Sequence, residues 1–281
     1  MAKSYREVLS WASSFLEEQG VEGHSILYVL LGRKNWRKTD WLLNWHKEMP
    51  ESEQQQLQQD VKQLAAHYPA QYILGFEEFY GHRFKVTEAT LIPRPETEEL
   101  LELAISKIKN LKSKIQNLKL LDVGTGSGII PITLKKHFPD TEISAMDISE
   151  KALEIAQKNA YFHQTEIKFL QADYLNIDLT EKYDVIISNP PYIDIDENTE
   201  IEDSVKGFEP NIALFSPTSD ALIFYRKIAK DCENHLNENG LFFLEINQKL
   251  GNETLELFKN FSESELVKDL SGNDRFVMGR K

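Results

Sequence analysis

Residues Leu121–Gly128 read LDVGTGSG: an apolar stretch carrying one aspartate, then three glycines alternating with Thr125 and Ser127. Leu120–Val123 has the composition of a short buried strand, and Ile129–His137, closed by Pro139, has helical apolar spacing. Gly124, Gly126 and Gly128 therefore fall on a strand-to-helix turn, where a missing Cβ lets the backbone approach a ligand closely. With Thr125 and Ser127 they form a candidate cofactor loop. The dinucleotide fingerprint G-x-G-x-x-G/A requires a small residue three places after Gly126, and Ile129 stands there. A P-loop requires a Lys-Ser/Thr pair, and none follows.

Downstream the pattern alternates between strand and helix. Glu142–Met146 is a predicted strand delivering Asp147, Ile167–Leu170 one delivering Asp173, and Tyr183–Ser188 one delivering Asn189. Residues Ser149–His163 and 219–236 have helical spacing, and Leu241–Ile246 is a further strand. This β-α alternation implies an α/β domain with a mostly parallel sheet. Ligands of such sheets bind outside the carboxyl ends of the strands, where all the polar residues just named lie. Asp147, about 20 residues past the glycine loop, is placed to accept from both ribose hydroxyls of a cofactor, or to cap a helix beginning at Ile148 or Ser149. Asp173 is placed to accept from an adenine amino group with Tyr174 against the base, or is a plain loop aspartate. An adenosine-type cofactor without a phosphate cradle points to S-adenosyl-L-methionine.

The second chemical motif is SNPPYI, Ser188–Ile193. Consecutive prolines fix φ and remove two backbone donors while leaving carbonyls as acceptors. The Asn189 side-chain carbonyl and the Pro190 carbonyl suit the two hydrogens of a planar NH₂ group, with Tyr192 against its π face. Asn189, Pro190 and Tyr192 are thus the candidate catalytic residues, and Asn189, Pro190, Pro191 and Tyr192 the candidate substrate contacts. Holding both hydrogens aims the nitrogen at an electrophile and favours a tetrahedral nitrogen, the change N-methylation requires. The group so held is an amide or an exocyclic base amine, so an amino-methylase of DNA or RNA stands beside a protein methylase at this stage.

Upstream, residues 1–75 read as short helices. Ser4 with Glu7 makes a capping box ahead of Val8, Leu9, Ala12, Phe15 and Leu16. The second helix is expected to stop at Gly32, the third to span Trp41–Trp45, and Ser52 to cap a fourth. Residues 76–92 carry aromatic and β-branched residues on both sides of Gly81, which predicts a hairpin. The expected division is a helical domain at 1–75, a hairpin linker at 76–95 and a catalytic domain at 96–281.

The chain has 281 residues and a net charge of −13, of which −12 falls in residues 96–281. That argues against gripping a nucleic acid backbone over a broad face. Asp194, Asp196, Glu197, Glu200, Glu202, Asp203 and Glu209 against Lys206 suggest an acidic rim, suited to a basic protein partner, or a solvated loop. The lone Cys232 leaves no disulfide or multi-cysteine metal site, and no metal is expected. No apolar run has the roughly 18 residues of a membrane span, and no secretory signal opens the chain, so a cytoplasmic protein is expected.

The chain resembles the peptide chain release factor glutamine methyltransferases, the HemK family. The matching blocks, in order, are PAQYILG at 69–75, FYGHRFKV at 79–86, LIPRPETEELLE at 91–102, LDVGTGSG, SNPPYI, FEPNIAL at 208–214 and KDLSGNDRFVMGR at 268–280. SNPPYI alone is shared with base methylases, whereas its combination with IPRPETE is specific. The resemblance implies a Rossmann-like methyltransferase domain with a mixed seven-stranded sheet behind a helical domain and hairpin. It implies transfer of a methyl group to the glutamine of a Gly-Gly-Gln loop in class-1 release factors. By match of motif, Gly124–Gly128 and Asp147 would bind the cofactor with Tyr174 on its adenine. Asn189 would touch both cofactor and substrate amide, Pro190–Tyr192 the substrate, and Arg94, Glu96 and Thr97 would help roof the pocket. One block departs: the family shows E-I-G-x-x-Q, and here Glu245-Ile246-Asn247-Gln248-Lys249-Leu250 stands, so no role is carried to it.

Overall fold

The computed structural model describes residues 3–112, 117–192, 207–216, 218 and 220–281. They form two compact units, one of the described residues up to Glu77 with Gly207 and Phe208, the other of those from Glu78 to Tyr192 and from Glu209 to Lys281. The first holds α1 (Tyr5–Glu18), α2 (Ser25–Lys34), α3 (Lys38–Asn44), α4 (Glu51–Ala65) and α5 (Ala70–Leu74). The Ser4–Glu7 capping box is present at the start of α1. The apolar stripes of α1, α2 and α4 close on one another through Leu9, Ala12, Leu16, Ile26, Val29, Leu57, Val61 and Leu64. Buried Asp60 on α4 accepts from Arg33 on α2 through both oxygens, at 2.7 and 2.8 Å.

Three sequence expectations are corrected here. Helix α2 does not stop at Gly32 but runs to Lys34 and ends on left-handed Asn35. A Cβ at Gly32 would lie 2.5 Å from Leu74 Cδ1, so this glycine serves close approach of α5 rather than termination. Ser52 does not cap α4, because Pro50 occupies the cap and Ser52 lies in the first turn. In α3 the boundary also moves, to Lys38–Asn44, since Asp40 reaches back to the Arg37 N–H at 2.8 Å.

Strands β1 (Phe76–Phe79) and β2 (His82–Lys85) form the expected hairpin. Tyr80 and Gly81 both have positive φ, 51° and 71°, which matches the right-handed strand twist. Helix α6 (Pro95–Lys112) follows, with Glu96 and Glu98 in its first turn and Lys109 and Lys112 in its last, as the helix dipole favours.

The seven-stranded sheet has the order β5-β4-β3-β6-β7-β9-β8. Its strands are β3 (Lys119–Val123), β4 (Glu142–Asp147), β5 (Lys168–Gln171), β6 (Tyr183–Ser188), β7 (Leu236–Glu245), β8 (Glu263–Lys268) and β9 (Asp274–Arg280). The pairs from β5 to β7 are parallel, and β9 runs antiparallel to both β7 and β8. Helices α7 (Ile129–His137), α8 (Glu150–Phe162) and α10 (Ile223–His235) cover it, with short α9 (Asn211–Leu214) and α11 (Gly251–Glu256). Neighbouring strand residues alternate between two cores. Leu120, Val185 and Phe243 pack with α6 and α7, whereas Leu121, Ile186, Phe242 and Leu244 pack with α10. Strand β7 begins five residues before the expected Leu241, because a register shift lets Leu236 pair with Tyr183 before the ladder resumes at Leu241–Val185. Among the described residues no helix is long and apolar enough to cross a membrane.

Gly279 on β9 is where this sheet tolerates least. A Cβ there would meet the Glu263 carbonyl oxygen at 2.1 Å and the Phe242 ring at 2.7 Å. Backbone cannot yield as a side-chain tip can, so Gly279→Ala should destabilise this unit by at least about 1–3 kcal/mol. Thermal denaturation followed by circular dichroism checks this, and an unchanged melting temperature would refute the packing argument.

Candidate active site

The parallel strands β3, β4 and β6 end level with one another, Val123 beside Met146 and Ser188. The glycine loop leaves from the middle of this edge. The Gly124 and Thr125 N–H groups donate to the Met146 carbonyl at 2.9 and 3.0 Å, and the Gly126 N–H donates to Asp147 Oδ2 at 2.8 Å. All three glycines have positive φ, yet they serve different ends. A Cβ on Gly128 would crowd Ala156 and Ile132 at 3.1 Å, so Gly128 seats α7 against α8. Gly126 faces open space, and the nearest atom to a Cβ on Gly124 would be the Asn189 carbonyl oxygen at 3.8 Å. The cofactor loop and the Asn-Pro-Pro-Tyr loop therefore lie side by side.

Asp147 does not cap α8. Ser149 does so, accepting from the Ala152 N–H at 3.2 Å. The Asp147 carboxylate instead spans the loop and the chain behind it, accepting from Gly126 N–H and Ser149 N–H. Burial pushes its carboxyl above the usual range, opposed by those backbone donors and the Ile148 N–H. Asp173 caps the single 3₁₀ turn Tyr174–Asn176, accepting from Leu175 N–H at 3.2 Å and Asn176 Nδ2 at 2.7 Å. Tyr174 is not brought to this edge. Its ring is buried in the core beneath α10, with the Lys227 ammonium 4.8 Å from its centroid. The reason is the 3₁₀ turn, which directs the ring inward and leaves half-buried Asp173 at the strand end.

Asn189 follows β6 directly. Its Nδ2 donates to the Thr97 hydroxyl oxygen at 3.2 Å, and that hydroxyl donates to Glu245 Oε2 at 2.8 Å. Thr97 belongs to the first turn of α6 and Glu245 ends β7, so three elements converge on one side chain. Pro190 is buried, and Pro191 and Tyr192 are half-buried. Tyr192 packs on the α10 side of the sheet, its hydroxyl pushed above its ordinary pKa by burial and by Glu245. The Tyr192 carbonyl accepts from Asn247 Nδ2 at 3.2 Å. Ile193 and the acidic stretch through Lys206 lie outside the described residues. Glu209, read above as part of that rim, is instead buried, accepting from the Ile92 N–H and paired with Arg94. Arg94 and Glu209 thus tie the IPRPETE and FEPNIAL blocks together. Glu96 is half-buried and raises the Glu245 carboxyl through its charge.

Four functional side chains escaped the sequence reading. Asp122 and Glu245 are fully buried carboxyls, each pushed up to about 7, chiefly by burial. Asp122 has Thr125 as its polar neighbour, yet neither carboxyl oxygen nor the Thr125 hydroxyl has a hydrogen-bond partner at ordinary distance among the described residues. Asn159 on α8 donates to the Ser127 carbonyl at 2.8 Å and brackets Lys85 of β2 in both directions, clamping the glycine loop from below. Asn247 holds the Tyr192 carbonyl. An acid closing an apolar strand was the available signal for Glu245, since a buried charge is costly. The open backbone at Gly124 and Gly126, the braced Asp147 and the unpartnered acceptors of Asp122 fit a cationic adenosyl cofactor that carries no phosphate.

Comparison with known proteins agrees with this geometry. Family models match as the PrmC N-terminal domain at residues 7–75 and the methyltransferase small domain at 105–205. A release factor glutamine methyltransferase of Enterococcus faecalis is 44% identical over 99% of both chains. One from Flavobacterium psychrophilum is 42% identical over 99% of this chain and 98% of that one, and one from Bacillus subtilis 35% over 98% and 97%. The chain belongs to the release factor glutamine methyltransferases. The fold of the family's catalytic part is also that of the hMettl16 catalytic domain, solved with MAT2A 3′UTR hairpin 6, at a TM-score of 0.53 and 16% identity over 69% of this chain and 74% of that one. The mixed seven-stranded sheet, helical N-terminal domain and hairpin are thus those of an S-adenosylmethionine-dependent methyltransferase of this family.

Asp122 sets a pH dependence. With its folded pKa raised from 3.8 to about 7, the native state keeps a proton that the unfolded chain releases. Stability from this group is full below about pH 4 and is lost as pH rises to about 7. Asp122→Asn removes that loss, so the variant should melt on the order of 10 °C above the parent at pH 8. At pH 5, part-way through that loss, the difference should shrink to well under half its value at pH 8. Scanning calorimetry of the two proteins without cofactor checks it; equal gaps at both pH values would exclude a buried titrating carboxyl.

Proposed function

We propose that this protein transfers the methyl group of S-adenosyl-L-methionine to the side-chain amide nitrogen of the glutamine in the Gly-Gly-Gln motif of class-1 release factors. The observation that carries this reading is the Asn-Pro-Pro-Tyr loop set against the cofactor loop, in a chain of this family. The bound cofactor supplies a methyl group on a sulfonium, already electrophilic. The residues of this chain bind, orient and exclude water. Gly124–Gly128 and Asp147 hold the cofactor, with Asp173 beside its adenine. Asn189 Oδ1 and the Pro190 carbonyl accept the two amide hydrogens, and Pro191 and Tyr192 form the wall on which the amide plane lies. Such positioning supplies on the order of 7–11 kcal/mol of a barrier. Acceptors already aimed at the nitrogen as it becomes cationic add an electrostatic contribution. The methylated nitrogen is acidic, and its surplus proton leaves to water.

The acidic balance of residues 96–281 supports a protein rather than a nucleic acid substrate. Methyl transfer from labelled cofactor to purified release factor, tRNA and DNA, run side by side, tests the substrate class. Labelling of a nucleic acid instead of the release factor would establish the base-methylase alternative. Asn189→Ala should lower kcat on release factor by about 10²–10³-fold, the usual cost of losing one such contact. Turnover at the parental rate would remove Asn189 from the mechanism.

The helical unit, residues 1–75, is assigned to docking of the release factor away from the reacting loop. Its core is closed, yet Trp11, Leu42, Leu43 and Trp45 remain exposed. Replacing Leu42 and Leu43 together by serine should cut kcat/KM on intact release factor about tenfold or more, while a short Gly-Gly-Gln peptide reacts as before, since only the intact partner loses remote contacts. Equal losses on both substrates would discard the docking role.

A further inference from the structure

Glu245 ends β7, and the mechanism above does not use it. It is buried at that strand end, where it accepts the Thr97 hydroxyl hydrogen at 2.8 Å and has the Asn189 side chain as a second, weaker hydrogen-bonding neighbour that also favours its ionised form. A threonine hydroxyl has a single hydrogen. Once that hydrogen is committed to a carboxylate, the hydroxyl can meet its next neighbour only as an acceptor. That neighbour is the Asn189 amide, 3.2 Å away, which must therefore present its NH₂ to Thr97. The two ends of an asparagine amide are nearly the same shape but opposite in polarity. The direction of the chain Asn189→Thr97→Glu245 thus decides which end of Asn189 faces away from Thr97.

We infer that Glu245, chiefly through Thr97 and with a direct contact drawing the same NH₂ end, is a positioning residue that fixes the amide orientation of Asn189, so that its carbonyl oxygen rather than its NH₂ meets the substrate amide. This deepens the proposed function and rests on its assignment of Asn189 as an acceptor for the glutamine amide. An ionised carboxylate can only accept, so the direction is unambiguous while Glu245 is charged. A protonated Glu245 donates to Thr97 instead. The Thr97 hydroxyl then donates onward, the Asn189 amide turns over, and its NH₂ opposes the N–H groups of the substrate.

The charged and titratable groups facing Glu245 are Arg275 on β9, Glu96 on α6, Tyr192 after β6 and Tyr225 on α10. Arg275, itself paired with Asp269 at 3.1 Å, favours the carboxylate, whereas burial and Glu96 disfavour it. Burial is the larger influence and places the transition near neutrality, at about 7. Activity should therefore fall on the acid side of neutrality through a group that never touches the substrate.

The test uses the full-length chain with release factor as substrate and the cofactor at saturation. Thr97→Val keeps the shape and removes the relay, Thr97→Ser keeps the hydroxyl, and Glu245→Gln allows either direction of the chain. Thr97→Val and Glu245→Gln should each lower kcat at least tenfold, with cofactor affinity by calorimetry within about twofold of the parent. Thr97→Ser should turn over at least fivefold faster than Thr97→Val. The acid limb of the parental kcat–pH profile should be absent in Glu245→Gln. A Thr97→Val enzyme at parental kcat, a serine variant no better than valine, or an unchanged acid limb in Glu245→Gln would each overturn the relay. If Thr97→Val does not fold, the serine and glutamine variants still decide through kcat and the pH profile. Asn189→Ala run in parallel separates the two levels. An inactive Asn189→Ala beside fully active Thr97→Val and Glu245→Gln removes the relay alone, whereas an active Asn189→Ala removes the Asn189 reading and the relay with it.

Discussion

The active edge depends on how the glycine loop is pinned to the ends of three parallel strands. Two consecutive N–H groups, of Gly124 and Thr125, converge on the single Met146 carbonyl, and the Ser188 hydroxyl donates to the Val123 carbonyl at 2.7 Å across the neighbouring strand. Asp147 then catches the Gly126 N–H, and Asn159 catches the Ser127 carbonyl from the helix below. Each contact satisfies a backbone group that the sharp turn would otherwise strand in a buried place, which is why the loop needs so many side chains from elsewhere. Because β6 ends level with β3, this pinning also sets where Asn189 begins. Cofactor loop and substrate loop are positioned by the same strand register.

Around that edge the protein keeps two fully buried carboxyls, Asp122 and Glu245, on strands flanking β6. Ionised carboxylates without full hydrogen bonding are expensive in a packed interior, and both carboxyls respond by binding protons more tightly. Glu245 recovers part of the cost through Thr97 and the charge of Arg275. Asp122 has Thr125 as its one compensating neighbour and, among the described residues, no cation beside it. Stability is given up where chemistry takes place, while the sheet behind is packed by leucine, isoleucine, valine and phenylalanine from both sides.

Much of this was legible in the residues. The strand β6 was read at its observed bounds, as was α7, because an apolar run and a periodic run each ended at a glycine, proline or polar signal. The parallel order of the central strands followed from alternation alone. Turn chemistry misled at Gly32, which resembles a helix stop but is a contact for Leu74, and periodicity misled at Leu236, read as the end of a helix but paired with Tyr183 at the start of β7. Local rules fail at such places because the deciding partner is tens of residues away. Tyr174 failed for a related reason: a strand-end position does not say which way the following 3₁₀ turn directs a ring.

The sequence by itself determined the α/β alternation, the glycine loop with its exclusion of phosphate-bearing cofactors, and the Asn-Pro-Pro-Tyr loop, since each rests on residues adjacent in the chain and on local backbone physics. Tertiary structure alone decided the company these loops keep. Thr97 reaches Asn189 across 92 positions, Glu245 reaches Thr97 across 148, and Glu209 reaches the Ile92 N–H across 117. No periodicity encodes such pairings. They exist because strand register and helix packing bring polar groups together in a dry interior, where each must find a partner, and that pairing sets the direction in which the key amide points.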